Sequence, residues 1–177
     1  MNGNAKLINN SILMILAADN FNDEEFIIVK DSLLKAGFKI FIASDANNLC
    51  VGKKGMRVKN DMKLFNIHEN NFGGIVFIGG NGIKKYWDNE KLQKAAKDFF
   101  ESKKPVAAIC SAVVILARAG ILKGLSAACW NEDERELQSE NIQIKDAPVV
   151  TRKKIITGSG PESAQEFVNA FISKLKT

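Results

Sequence analysis

From Ser11 to Ala17 the chain reads Ser-Ile-Leu-Met-Ile-Leu-Ala, apolar almost throughout and without alternation. A strand with one face in water alternates apolar and polar residues, so an unbroken run marks a strand covered on both faces. The need for two covers is the strongest constraint on what this chain can fold into. The residues that follow supply them. Asn22-Asp23-Glu24-Glu25 offers N-cap chemistry and first-turn acids. Phe26, Ile27, Val29, Leu33 and Leu34 then recur at helical spacing, and Gly37 ends the helix. Lys39–Ala43 reads as the next strand and Phe72–Ile78 as another, the latter ending in Gly79-Gly80-Asn81-Gly82. A helix from about Asn89 to Ser102 leads to a strand at Pro105–Ile109, and Ser111–Gly120 reads as a helix closed by glycine. Residues 126–158 are shorter-grained, with a hairpin around Arg152-Lys153, and Glu162–Leu175 is a closing amphipathic helix. Strand and helix in alternation predict an α/β fold whose mostly parallel sheet is covered on both sides.

The 177 residues suit a single domain, 1–177, with residues 1 to about 10 a polar leader. The net charge of +5 is spread over lysines mixed with acids, and the clusters Lys53-Lys54 and Arg152-Lys153-Lys154 are short. They read as solvated surface, with no nucleic-acid partner. No stretch approaches the roughly 18 apolar residues of a membrane span, so no membrane partner is expected. Cys50, Cys110 and Cys129 are odd in number and far apart, which gives neither a disulfide framework nor a CxxC metal pattern. A reducing cytoplasm fits them, with no metal and no cofactor implied.

Ligands of such sheets sit at the carboxyl ends of the strands. That rule gathers Glu25 after the first strand, Gly79 and Gly80 after the third, and Cys110 after the fourth. A cysteine between strand and helix has its sulfur near first-turn N–H groups and the positive end of the helix dipole. It is expected to be more thiolate-like than a free cysteine, whose pKa is about 8.5. The competing reading is a small buried filler.

Four segments in order resemble the ThiJ/PfpI superfamily, also called the DJ-one superfamily. They are Ala107-Ala108-Ile109-Cys110 with Leu116–Gly124, Asp19–Phe26, Ile75-Val76-Phe77-Ile78-Gly79-Gly80, and Gly158-Ser159-Gly160-Pro161-Glu162-Ser163-Ala164. The resemblance implies a flavodoxin-like three-layer sandwich with Cys110 on a nucleophile elbow, usually a homodimer. It makes Glu25 the cysteine's partner. A thiolate and a carboxylate in contact repel, so the pair shares one proton, and the carboxyl is expected to stay protonated and donate to sulfur. The backbone N–H groups of Gly80 and Ser111 become candidate oxyanion donors, with Gly79, Trp130 and Ser159 around the pocket.

The departures narrow the function. Where protease-like members carry histidine after the cysteine, this chain has Ser111, and around Ala128-Cys129-Trp130-Asn131 there is none. The single histidine, His68, lies in a connecting segment and suggests a surface or dimer contact. Trp130 is expected over the pocket, and Tyr86 and Trp87 as core or surface anchors. The leading expectation is a DJ-one-like cytoplasmic protein with an oxidation-sensitive cysteine that meets peroxide or a small electrophile in a stress or redox response. A glyoxalase- or deglycase-type enzyme on reactive carbonyls is the alternative. A peptidase ranks third because its base is missing, beside a non-catalytic binding module. By resemblance alone, Cys50 belongs at a subunit contact.

Overall fold

β1 (Ser11–Ile15) is buried at every position, as its unbroken apolar run requires. The structure is a computed structural model that describes residues 10–177, so the polar leader lies outside the described residues but for Asn10. After β1 come β2 (Asp19–Phe21), α1 (Asp23–Lys35), β3 (Lys39–Ser44), β4 (Leu49–Gly52), β5 (Arg57–Lys59), β6 (Met62–Lys63) and β7 (Gly74–Phe77). Then follow α2 (Glu90–Glu101), β8 (Val106–Ile109), α3 (Val113–Arg118), β9 (Ser126–Ala127), α4 (Glu134–Ser139) and β10 (Gln143–Ile144). The hairpin β11 (Val149–Arg152) and β12 (Ile155–Gly158) and the helix α5 (Ala164–Leu175) complete the chain. The main sheet has the order β11-β12-β8-β7-β1-β3-β6. All its pairings are parallel except β11 with β12. This is the expected flavodoxin-like α/β sandwich.

Alternate side chains of each central strand feed different layers. Ile12, Met14, Val76, Ala107 and Ile109 join Val29 and Leu33 of α1 and Phe167 and Phe171 of α5. Leu13, Ile15, Ile75, Phe77, Val106 and Ala108 join Leu92 and Phe99 of α2 and Val113–Ala117 of α3. The period of two along a strand therefore builds both cores at once. No helix among the described residues is long and apolar enough to cross a membrane.

Three expectations are revised. The predicted helix over Ser111–Gly120 opens with a 3₁₀ turn at Cys110–Ala112 and is α-helical only over Val113–Arg118. The closing helix likewise begins with a 3₁₀ turn at Pro161–Ser163. Residues 45–71, unassigned from the sequence, contain β4 and β5, which join β2 in a second sheet. These strands are too short for periodicity to register. Their turn is held by buried Asp23, whose carboxylate accepts the N–H groups of Lys54 and Met56 at 2.9 and 3.1 Å.

Phe99 is fully buried and Leu34 is 50% exposed. Phe99→Ala should cost about 3–5 kcal/mol, by lost transfer energy and a residual cavity. Leu34→Ala should stay within about 0.5 kcal/mol of wild type. Urea titrations at one temperature check the contrast, and equal losses would contradict the two-layer assignment.

Candidate active site

Cys110 leaves β8 with φ at +60°, in the left-handed region. That conformation costs a residue with a Cβ on the order of 1–2 kcal/mol. It swings the sulfur off the strand axis to the carboxyl end of the sheet. The N–H groups of Ser111 and Gly80 hydrogen-bond the sulfur and favour its charged form. The Ser111 hydroxyl stands 3.9 Å away. The two backbone donors expected from the sequence are therefore both at the sulfur.

Glu25 approaches from α1. Asn22 caps that helix by accepting the N–H groups of Glu24 and Glu25 at 3.1 and 3.2 Å. The cap turns Glu25 inward, and its side chain has no exposed surface. Glu25 Oε2 accepts the Gly79 N–H at 2.9 Å. In return, Gly79 O accepts the Asn22 N–H at 2.9 Å. A Cβ on Gly79 would lie 2.6 Å from Cys110 Cβ and 2.7 Å from Glu25 Oε2, so no larger residue fits between the two reactive groups. Gly80 has φ at +110°, which glycine alone adopts freely.

Burial governs the electrostatics. Glu25 Oε1 is buried with no nitrogen or oxygen partner, and the Cys110 thiol is its reactive neighbour. Desolvation raises Glu25 to about 7, against the lowering effect of the Gly79 N–H and of Cys110. Desolvation, then the Glu25 charge, pushes the Cys110 thiol up to about 12, despite the Ser111 and Gly80 donors. Loss of water therefore opposes the thiolate-like sulfur expected from position alone, against the two N–H groups that favour it. The pair is fully protonated in acid and holds one proton above neutrality.

Cys110, Ser111 and Gly80 border a pocket of about 430 Å³ with Asn22, Asn81, Lys53, Lys54, Glu132, Trp130 and Pro161 also in its wall. Trp130, expected over the pocket, is one of the residues that border it. Ser159 does not reach it; it borders a neighbouring cavity with Cys129. Lys53 and Lys54, read from the sequence as plain surface, stand at the rim, where Lys54 pairs with Glu24 at 2.7 Å. Only the unread sheet of β2, β4 and β5 brings them there. Cys50 is wholly buried in its own chain. Burial also raises the Cys129 thiol to about 12. His68 is exposed and precedes β7, whereas Cys110 follows the parallel neighbour β8. The histidine therefore stands at the opposite end of the sheet.

A strand-to-helix cysteine, a buried glutamate and a Gly-Gly turn joining them match a known family over nearly the whole chain. The model of the DJ-1/PfpI family covers residues 10–174. The chain belongs to the DJ-1/PfpI family. A solved ThiJ/PfpI domain protein from Brachyspira murdochii superposes with a TM-score of 0.92 at 34% identity, over 94% of this chain and 96% of that one. A Methanocaldococcus jannaschii protein with no assigned role is 34% identical over 162 residues, 90% of this chain and 79% of its own length. A Pyrococcus abyssi protein named as a deglycase is 29% identical over 164 residues, 93% of this chain and 99% of its own.

In this DJ-1/PfpI site the native state binds a proton at Glu25 that the unfolded chain releases near 4.5. A carboxyl raised on folding makes stability fall as pH rises, here between about 4.5 and about 7. The fall should be up to roughly 3 kcal/mol. Glu25→Gln should flatten this part of the curve. Denaturant titrations from pH 4 to 8 test it, and an equal slope in both proteins would place the proton elsewhere.

Proposed function

We propose that this chain is a cysteine-dependent enzyme acting on reactive carbonyls, of deglycase or glyoxalase type, with Cys110 as nucleophile and Glu25 as the group that moves protons. The buried Cys110–Glu25 pair, sharing one proton at the edge of a pocket, is the observation that carries the reading. A thiol at about 12 is a poor nucleophile alone, but a carboxylate near 7 beside it accepts its proton as attack begins. With a 2-oxoaldehyde, the Sγ–C bond forms while the carbonyl π pair moves to oxygen. The thiol proton passes through Glu25 to that oxygen and gives a hemithioacetal. Glu25 then takes the proton from the former aldehyde carbon while the neighbouring carbonyl oxygen gains a proton, giving an enediol, and returns its proton to the neighbouring carbon as the first hydroxyl gives up its own and becomes the thioester carbonyl. The resulting thioester takes up water, returns the thiol and releases a 2-hydroxy acid. The Gly80 and Ser111 N–H groups stabilise charge on sulfur in the attack. The deglycase name of the Pyrococcus abyssi relative supports the same class.

A peroxide-sensing role, first from the sequence, stands second, since the deglycase name of the Pyrococcus abyssi relative favours carbonyl chemistry. Peptide cleavage falls further behind, since an amine leaving group needs an acid and His68 is at the far end of the sheet. A homodimer in a reducing cytoplasm is part of the proposal, on the family resemblance and the free thiols of Cys50, Cys110 and Cys129.

Methylglyoxal should be consumed with lactate as product, and Cys110→Ala should abolish this. Glu25→Gln should lower kcat by about 10²–10⁴-fold, the usual worth of general acid–base help. In wild type kcat/KM should rise with pH through about 7, as Glu25 becomes a base, and then level off. Consumption by Cys110→Ala equal to that of wild type would refute the reading.

A further inference from the structure

The segment that begins at Gly80 touches the elbow twice. Its first residue gives the N–H that holds the Cys110 sulfur. It then winds as a 3₁₀ helix over Asn81–Tyr86, which Trp87 closes. The Trp87 indole Nε1–H reaches back and donates to the carbonyl of Ser111 at 2.8 Å. The other N–H at the sulfur belongs to Ser111 itself. One short segment thus brackets both donors.

Trp87 is held hard in this position. Lys84 Nζ and Arg118 Cζ each lie 5.4 Å from its ring centroid, within cation–π range. Both cations are pinned in turn. Lys84 pairs at 2.6 Å with buried Asp133, and Arg118 pairs with Asp88 and Glu136. The Trp87 carbonyl accepts from Gln93 Nε2 at 2.8 Å. Asp133 donates its N–H to the carbonyl of Trp130, so the pocket wall belongs to the same network. Such restraint answers a need at the elbow. A cysteine at φ +60° persists only where its surroundings over-determine it.

We propose that Trp87 is a positioning residue for Cys110: its indole N–H anchors the Ser111 carbonyl, one peptide beyond the Cys110–Ser111 amide, and so holds the elbow turn in which the Ser111 and Gly80 N–H groups meet the sulfur. The proposal rests on the reading of Cys110 as the reacting thiol, but not on which electrophile it meets. Trp87→Phe keeps an aromatic ring beside the two cations and removes the donor, with a modest loss of packing volume.

Iodoacetamide alkylation of Cys110, followed by mass spectrometry across pH, reads the thiol without any carbonyl turnover. In Trp87→Phe its rate at a fixed pH should fall about threefold to tenfold, the worth of one hydrogen bond, and its pH midpoint should rise. With methylglyoxal, kcat should fall by a similar factor and KM should not change. A rate within twofold of wild type with an unmoved midpoint would reduce Trp87 to packing and overturn the proposal. Absent methylglyoxal turnover in wild type would sink the carbonyl reading and leave the alkylation comparison intact. If Trp87→Phe does not fold, the wild-type protein serves. Its Trp87 indole N–H resonance, assigned against Trp130→Phe, should shift when Cys110 is carboxamidomethylated, and an unmoved resonance would likewise overturn the proposal.

Discussion

The site hangs on a two-way latch at Gly79. Its N–H goes to Glu25 and its carbonyl takes the Asn22 N–H. These two hydrogen bonds fasten the first turn of α1 to the end of β7 and bury a carboxyl group between them. One N–H bond is poor compensation for the water that a carboxylate loses, so the proton stays until near neutrality. The rest of the site follows from that latch. The cysteine can lie against the carboxyl only because Gly79 has no side chain, and both reactive groups share one shielded volume. A buried acid that titrates near neutrality can take or give a proton at ordinary pH.

Much of this was legible in the chain. The unbroken apolar run of Ser11–Ala17 needed two helical covers, and the strands it shared a sheet with followed from the spacing of the next apolar runs. Once the sheet was parallel, Glu25, Gly79, Gly80 and Cys110 had to meet at its carboxyl end. The failures have physical causes. Strands of two to four residues, such as β4 and β5, leave no periodic trace, so Lys53 and Lys54 could not be brought to the rim. Position relative to a helix predicts the attraction that a sulfur feels but not the solvent it loses, and for Cys110 the second effect opposes the first. Trp87 meets the elbow through a backbone carbonyl, and no residue pattern announces which carbonyl an indole will find.

Two acids in one helical turn show how local environment divides labour. Asp23 and Glu25 are both buried on α1. Asp23 accepts main-chain N–H groups on both oxygens and becomes a brace for the turn between β4 and β5. Glu25 receives one and keeps an oxygen without a nitrogen or oxygen partner. The difference is a count of donors rather than of residue type. It separates an acid that holds shape from one that is left able to exchange a proton with its neighbour.

The left-handed backbone at Cys110 has an implication for how such a protein changes over time. Glycine would adopt that turn without strain, so replacing the cysteine by glycine relaxes the elbow while discarding the thiol. Loss of chemistry at this position is therefore downhill in folding free energy. A scaffold under pressure only to be stable would favour glycine there, whereas this chain carries a strained cysteine.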